Sequence, residues 1–172
     1  MRQCGRILWC ATVVAASGCG SASTAGEHEV AGSSAEHRHV TRIRRATQEF
    51  RSIDAAAAAG YAPSASSCVA HAGHGAMGFH HANPTLFDDK LEIERPEILV
   101  YERMPDGAYQ LNGVEYIVPY EARSRDAQPP VIMGQQLKRA DRLRLWYLHV
   151  WVWKENPTGL FADWNPAVEC RS

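Results

Sequence analysis

The sequence has no excess of basic residues and few cysteines, and it lacks several familiar catalytic motifs. Its formal net charge of −1 over 172 residues gives no basic footprint for nucleic acid. It contains no GxSxG elbow, no phosphate-binding glycine loop, no HExxH motif and no CxxCH haem attachment site. These absences argue against serine hydrolases, nucleotide-binding folds, zincin proteases and c-type cytochromes. The 45% hydrophobic and 22% charged composition is typical of one globular domain.

The N-terminal segment has the features of an export signal. Arg2 and Arg6 precede an apolar run over 7–16 that is too short to span a bilayer as a helix. Small residues then lie directly before Cys19, which resembles the lipobox of bacterial lipoproteins, in which that cysteine carries the lipid. We therefore predict a signal peptide over 1–18 and lipidation at Cys19, with ordinary secretory cleavage nearby as the alternative. The expected location is the cell envelope, as an outer-membrane lipoprotein or as a periplasmic or secreted protein.

After such cleavage and lipidation, Cys68 and Cys170 are the two remaining cysteines. An even pair in an oxidising compartment predicts a disulfide. Two thiolate metal ligands are the alternative, but neither cysteine has a CxxC partner. Residues 19–34 are rich in Gly, Ser, Ala and Thr and predict a flexible tether, followed by a single domain over 35–172.

The predicted fold class is α+β, with a long N-terminal helix packed on a mainly antiparallel sheet or small barrel. From about residue 33 to about residue 59, apolar residues recur every three and four positions, which indicates a helix with one apolar stripe. The stretch LWYLHVWVW at 145–153 predicts a central strand covered on both faces. His149 then lies on one face of that strand among aromatic rings and needs a partner.

A hairpin is predicted over 97–118, with its turn at an Asp-Gly pair. A two-residue turn would set Ile98 opposite Glu115 and Glu102 opposite Leu111. Both carboxylates would then share one largely apolar face. A shift of one residue in the turn would place them on opposite faces.

Histidines and carboxylates in this predicted sheet form a candidate metal site, made of His80, Glu115 and His149. A carboxylate inside an apolar core is unfavourable unless it is paired or bound to a cation, and a shared metal would satisfy the imidazoles as well. This set of ligands suits zinc, iron or manganese, and copper would also accept the imidazoles. The alternative is that each residue is a hydrogen-bonded core residue without a metal.

Three further residues are alternative ligands or supporting groups: His81, Glu102 and Asp163. Asp163 would act as a hydrogen-bond acceptor around the site. His71 and His74, in the same glycine-rich segment as His80, are expected on the loop surface.

Several motifs resemble a family of uncharacterised exported bacterial proteins. They are GAMGFHHANP (75–84), GVEYIVP (113–119) and LHVWVWKENPTGLFADWNPAVEC (148–170), after a helix ending in AAGY (58–61). The resemblance covers most of the predicted domain and implies functional positions at His80, Glu115, His149, Asn156, Asp163 and Cys170. Position 81 has histidine where the resemblance leads us to expect tyrosine, which favours His80 as the ligand. The family has no activity that the resemblance would transfer.

We therefore expect an exported, lipid-anchored protein that binds one divalent metal in an aromatic-lined pocket, without an assigned reaction. The alternative is a non-catalytic envelope module that binds a small molecule or a protein partner and has structural histidines. The expected partners are the membrane, through the lipid anchor, and a small-molecule ligand, but not nucleic acid.

Overall fold

A computed structural model describes residues 25–64 and 68–171, with side chains from Ser34 onward. The predicted signal peptide and Cys19 lie outside the described residues. Within the predicted tether, residues from Ala25 onward belong to the first helix.

The helices, in chain order, are α1 (Ala25–Thr47), a 3-10 turn (Glu49–Arg51), α2 (Ile53–Ala58) and a second 3-10 turn (Pro84–Leu86). The strands are β1 (Ala62–Pro63), β2 (Val69–His71), β3 (Gly75–Ala82), β4 (Ile98–Arg103), β5 (Tyr109–Pro119), β6 (Val131–Ile132), β7 (Gln135–Gln136), β8 (Lys138–Ala140) and β9 (Leu145–Val150).

Aliphatic and aromatic segments form a seven-stranded sheet at the centre of the protein. Its strand order is β1-β3-β4-β5-β9-β8, with β2 paired to β3, and β6 and β7 pair separately. All the pairings are antiparallel. As predicted, β9 is an interior strand, because it lies between β5 and β8. It ends at Val150, earlier than predicted.

The long N-terminal helix predicted to reach about residue 59 is not observed, and the α+β prediction is wrong. α1 ends well before that point, and Ser52 is extended (φ −87°, ψ 120°) and accepts a hydrogen bond from the Ala55 amide to cap α2. In a continuous helix, the Phe50 carbonyl would accept from the amide four residues later. Here it accepts from the Tyr101 hydroxyl of the sheet at 2.6 Å. A hydrogen bond from the sheet therefore replaces one that a continuous helix would make. The described chain is mostly antiparallel sheet.

The β4–β5 hairpin was predicted, but its turn is longer than expected. The Gly107 amide donates to the Met104 carbonyl at 2.9 Å, and the Met104 amide donates to the Ala108 carbonyl at 2.8 Å. Gly107 has a positive φ of 85°, which glycine adopts without steric conflict. These bonds close a three-residue loop instead of the predicted two-residue turn.

A bulge in the hairpin compensates for the longer turn. Between two consecutive pairs of the ladder, β5 has one residue more than β4, namely Asn112. Beyond this bulge, Ile98 faces Glu115, as predicted. On the turn side of the bulge the register differs by one residue, so the predicted pairing of Glu102 with Leu111 is wrong.

The sheet has two unlike faces. The first, called the core face here, carries the main hydrophobic core, which includes Leu99, Tyr116, Trp146 and Leu148 and receives Ile43 from α1. The other, called the cavity face, has a smaller cluster of Ile98, Val100 and Ile117, against which Leu145 and Tyr147 pack. The two faces follow from the alternation of side chains along each strand.

The C-terminal segment is covalently joined to the start of the sheet region. The Cys68–Cys170 disulfide is present, with a sequence separation of 102 between its cysteines, so this prediction is confirmed. The Trp151 indole also donates to the Ala162 carbonyl at 2.7 Å, which fixes the segment against the end of β9. Within residues 25–64 and 68–171, no helix combines the length and the apolar character needed to cross a membrane.

Candidate metal centre

Three strands bring His80, Glu115 and His149 together on the cavity face. His149 on β9 is the direct cross-strand partner of Glu115 on β5, so their side chains point to the same side of the sheet. His80 on β3 lies opposite Val100 of β4, which in turn lies opposite Gly113 of β5. Each of the three residues offers one ligand atom, and these atoms lie within 4.8 Å of one another. The predicted trio therefore forms one cluster.

The spacing of the ligand atoms is close to what a small ion requires. In a tetrahedral site with metal–ligand bonds of about 2.1 Å, neighbouring ligand atoms are about 3.4 Å apart. His80 Nε2 lies 3.5 Å from Glu115 Oε2. The longest separation in the cluster would have to shorten by at most about 1.4 Å, which small side-chain rotations can provide.

The cluster is buried, and burial sets its protonation. His149 is fully buried, and the side chains of His80 and Glu115 are each 10% exposed. Burial lowers the pKa of His80 to about 4 and lowers the pKa of His149 well below its ordinary range. Both imidazoles are therefore neutral near pH 7, and each has a lone pair that a metal can accept.

Glu115 has the opposite shift. Burial raises the pKa of Glu115 to about 8, and the charge of Asp163 adds to the effect. The carboxyl is therefore mostly protonated at neutral pH when no cation is bound, and a bound cation would favour its ionised form.

The hydrogen bonding of the two imidazoles is incomplete. No described group of the protein forms a hydrogen bond of normal geometry with either nitrogen of His149 or with the Nδ1 atom of His80, although the Gly78 backbone lies near the His80 ring and opposes the fall in its pKa. Buried polar atoms are normally paired, because an unpaired one loses its hydration without compensation. A bound metal would provide a partner for one nitrogen of each ring.

Asp163 lies near this cluster but does not bond its imidazoles. Its Oδ1 atom is 2.6 Å from the Lys138 ammonium, and its Oδ2 atom accepts from the Tyr147 hydroxyl at 3.2 Å. Asp163 was predicted as a hydrogen-bond acceptor around the site, and it accepts from the Lys138 and Tyr147 side chains. Through these bonds it contacts β8 and orients the Tyr147 phenol.

The two other alternative ligands lie elsewhere. His81 points away from His80 to the core face, where its ring centroid lies 4.9 Å from that of Tyr101. Glu102 is 4% exposed and pairs with the Lys154 ammonium at 2.6 Å. It also accepts hydrogen bonds from the Asn112 amide group and from a backbone amide of the C-terminal segment. Neither residue is part of the cluster.

The remaining histidines of the glycine-rich segment are exposed, as predicted. His71 and His74 stack on each other with ring centroids 4.7 Å apart, and His71 also contacts Trp164. Of the other positions that the resemblance implied, Asn156 donates from its side chain to the Trp164 carbonyl at 2.9 Å. Asn156 therefore orders the C-terminal segment.

His80 and Glu115 line a cavity of about 630 Å³, and His149 lies beneath its surface. The expectation of an aromatic-lined pocket holds only in part, because the lining is mostly aliphatic. Its aromatic members are Phe87 and Tyr147. The tryptophans lie elsewhere: Trp146 belongs to the core face, and Trp151 packs on the His149 ring at 4.9 Å.

Tyr147 and Lys138 were not among the predicted site residues. Tyr147 precedes His149 by two positions on one strand, so alternation already placed it on the same face. Lys138 gave no usable signal, because β8 is short and polar and its pairing with β9 depends on tertiary structure.

Comparison of the chain with models of protein families, with curated proteins and with solved structures gave no match. The resemblance to a family of exported bacterial proteins therefore stays a prediction. The geometry of the cluster and its cavity is the feature that points to a function.

Proposed function

We propose that this protein is exported, carries a lipid on Cys19 and holds one divalent metal ion through His80, Glu115 and His149. The observation that carries the proposal is the convergence of three buried ligand atoms within 4.8 Å of one another on one face of the sheet. The incomplete hydrogen bonding of the imidazoles supports it, because purely structural histidines are normally paired.

The cluster leaves room for a further ligand. Three protein ligands with an open fourth position are typical of catalytic zinc sites, whereas structural sites have four protein ligands. Since the cavity lies against His80 and Glu115, the open position would face it. When bound, the ion would supply Lewis-acid chemistry toward a water or dioxygen molecule. Zinc, iron, manganese and copper all accept this ligand set.

A second candidate function is a non-catalytic envelope module with a small-molecule or protein partner. The mostly apolar cavity favours this reading, because it can hold an organic molecule without any metal. In that case His80 and Glu115 would interact only with each other, across the 3.5 Å that separates Nε2 from Oε2.

Metal content separates these two functions. The mature chain, purified without a His-tag, is incubated with Zn²⁺, desalted and analysed for metals. The adjacent histidines provide a matched pair, since His80 belongs to the cluster and His81 faces the opposite side of the sheet. We expect about one Zn²⁺ per chain in the wild type and in His81→Ala, and a large loss in His80→Ala and Glu115→Gln. Equal, sub-stoichiometric metal in all four proteins would refute the metal site.

The export and lipid proposal has a separate test. Mass spectrometry of the protein from the membrane fraction should give an N-terminal lipidated Cys19, and Cys19→Ser should move the protein to the soluble envelope fraction. If the envelope protein instead has an unmodified N-terminus that begins at another residue, ordinary secretory cleavage is supported.

A further inference from the structure

The cavity beside the candidate metal centre has an apolar wall. Most of the side chains that line it are apolar, and they include Met77, Ala82, Ile98, Ile117 and Leu145. Two large apolar residues of the lining reach solvent, Phe87 at 37% and Leu143 at 72% exposure. Apolar surface that stays open to solvent in this way is typical of a site that receives an apolar ligand.

The nearby basic side chains are already engaged. Arg139 contributes to the lining, but its guanidinium stacks over the Trp146 ring of the core face at 5.1 Å. Lys138 forms an ion pair with Asp163 at 2.6 Å. Because Arg139 pairs with Trp146 across the β8–β9 ladder, its guanidinium lies toward the core face, away from the cavity. Among the described residues of the lining, no cationic group therefore faces a ligand anion, which would need another partner.

The loaded metal centre would be that partner. A divalent ion bound by one carboxylate, from Glu115, and by two neutral imidazoles keeps one net positive charge. An uncompensated charge beside an apolar wall is unfavourable. A ligand with one negative charge at the open coordination position would neutralise it. The Tyr147 hydroxyl is not a competing anchor, because it already donates to Asp163.

We propose that the cavity binds an organic monoanion whose carboxylate, or a similar head group, coordinates the metal while its apolar body lies along the aliphatic wall. This inference rests on the proposed metal centre and names the class of molecule that the centre receives. The cavity volume of about 630 Å³ lies within the range of small-molecule sites and accommodates a body the size of an eight-carbon chain.

Three probes distinguish the contribution of the head group to binding from the contribution of the apolar body. The mature chain is loaded with Co²⁺, its metal content is measured, and it is titrated with octanoate, butanoate and octan-1-ol by calorimetry and visible absorption. Octanoate should change the Co²⁺ spectrum and bind about 250-fold more tightly than butanoate, because each of its four additional buried methylenes contributes about fourfold. Octan-1-ol, which has the same chain without the anion, should bind at least tenfold more weakly than octanoate.

Two exposed apolar residues provide matched variants. Leu143 lines the cavity, whereas Val131, at 57% exposure, lies outside its lining. Leu143→Glu should weaken octanoate about fivefold, because it adds a like charge near the anion, and Val131→Glu should leave the affinity unchanged. Both variants should bind one Co²⁺.

The outcomes distinguish this inference from the proposed function. A protein that binds no Co²⁺ refutes the metal centre, and the inference falls with it. A protein that binds Co²⁺ but has equal affinities for octanoate and butanoate keeps its metal centre and refutes the apolar-anion ligand. Equal binding of octanoate to metal-free protein, or an unchanged Co²⁺ spectrum, refutes coordination of the head group and also overturns the inference.

Discussion

Replacing His149 by leucine is expected to stabilise the metal-free protein while it removes the metal site. His149 is fully buried, and neither ring nitrogen has a hydrogen-bond partner among the described residues. An unpaired buried polar group destabilises a fold by about 1–3 kcal/mol. Leucine has a similar volume but a different shape, and such replacements cost less than about 1.5 kcal/mol. The expected net effect is a gain of about 1 kcal/mol in the free energy of unfolding.

Urea unfolding with and without metal measures this effect. With EDTA present, the midpoint for His149→Leu should rise by about 0.5 M, given slopes of about 1–3 kcal/mol per M. Added Zn²⁺ should raise the wild-type midpoint further, because it binds the folded chain, and should leave the variant unchanged. A variant that is destabilised by 1 kcal/mol or more in EDTA would refute the reasoning, since the imidazole would then make stabilising bonds of its own.

Three further predictions concern the scaffold. The double variant Cys68→Ala/Cys170→Ala should lose about 4–5 kcal/mol of unfolding free energy in the chain-entropy model, because the bridge spans 102 positions; urea unfolding measures the loss. Burial raises the pKa of Glu97 from 4.5 to about 8, so the folded chain retains a proton that the unfolded chain releases. The stability of the metal-free protein should therefore fall as pH rises through this window, and Glu97→Gln should make the fall shallower. In Gly113→Ala, the added Cβ would lie 2.6 Å from the Val150 carbonyl oxygen, so we expect a thermal unfolding shift that corresponds to about 1–3 kcal/mol together with weaker Zn²⁺ binding.

Each of these predictions has a result that would contradict it. A loss below about 1 kcal/mol in the double cysteine variant would mean that residual structure in the unfolded chain already limits the loop. Equal pH profiles for the wild type and Glu97→Gln would place that carboxyl in a solvated environment. An unchanged melting temperature in Gly113→Ala would mean that the strands separate there without strain.

The grouping of His80, Glu115 and His149 was predicted from the alternation of side chains along strands and from the unfavourable burial of a carboxylate. His149 and Glu115 lie on one face since both belong to regular segments of adjacent strands. The predicted hairpin register, with Ile98 opposite Glu115, was right for an incomplete reason. The turn has one residue more than its Asp-Gly pair suggested, and the bulge at Asn112 restores the pairing of Ile98 with Glu115. Local sequence indicated neither the longer loop nor the bulge.

The interrupted helix and the cavity were not predictable in this way. The apolar periodicity continues past the end of α1, but the Tyr101 hydroxyl takes the Phe50 carbonyl, and Tyr101 is remote in sequence. The cavity lining comes from separate strands, such as Met77 on β3, Ile117 on β5 and Leu145 on β9. These residues come together only in the folded sheet, so no local sequence pattern indicates the cavity.

The unequal faces of the sheet have a consequence for how this protein can diversify. Most of the packing that keeps the chain folded lies on the side away from His80 and Glu115. Substitutions among the aliphatic residues around the cavity can therefore alter its shape, and with it the molecule that the proposed site would accept, while His80, Glu115, His149 and the scaffold persist. Relatives with the same ligands and different walls would then differ in what they bind and share one architecture.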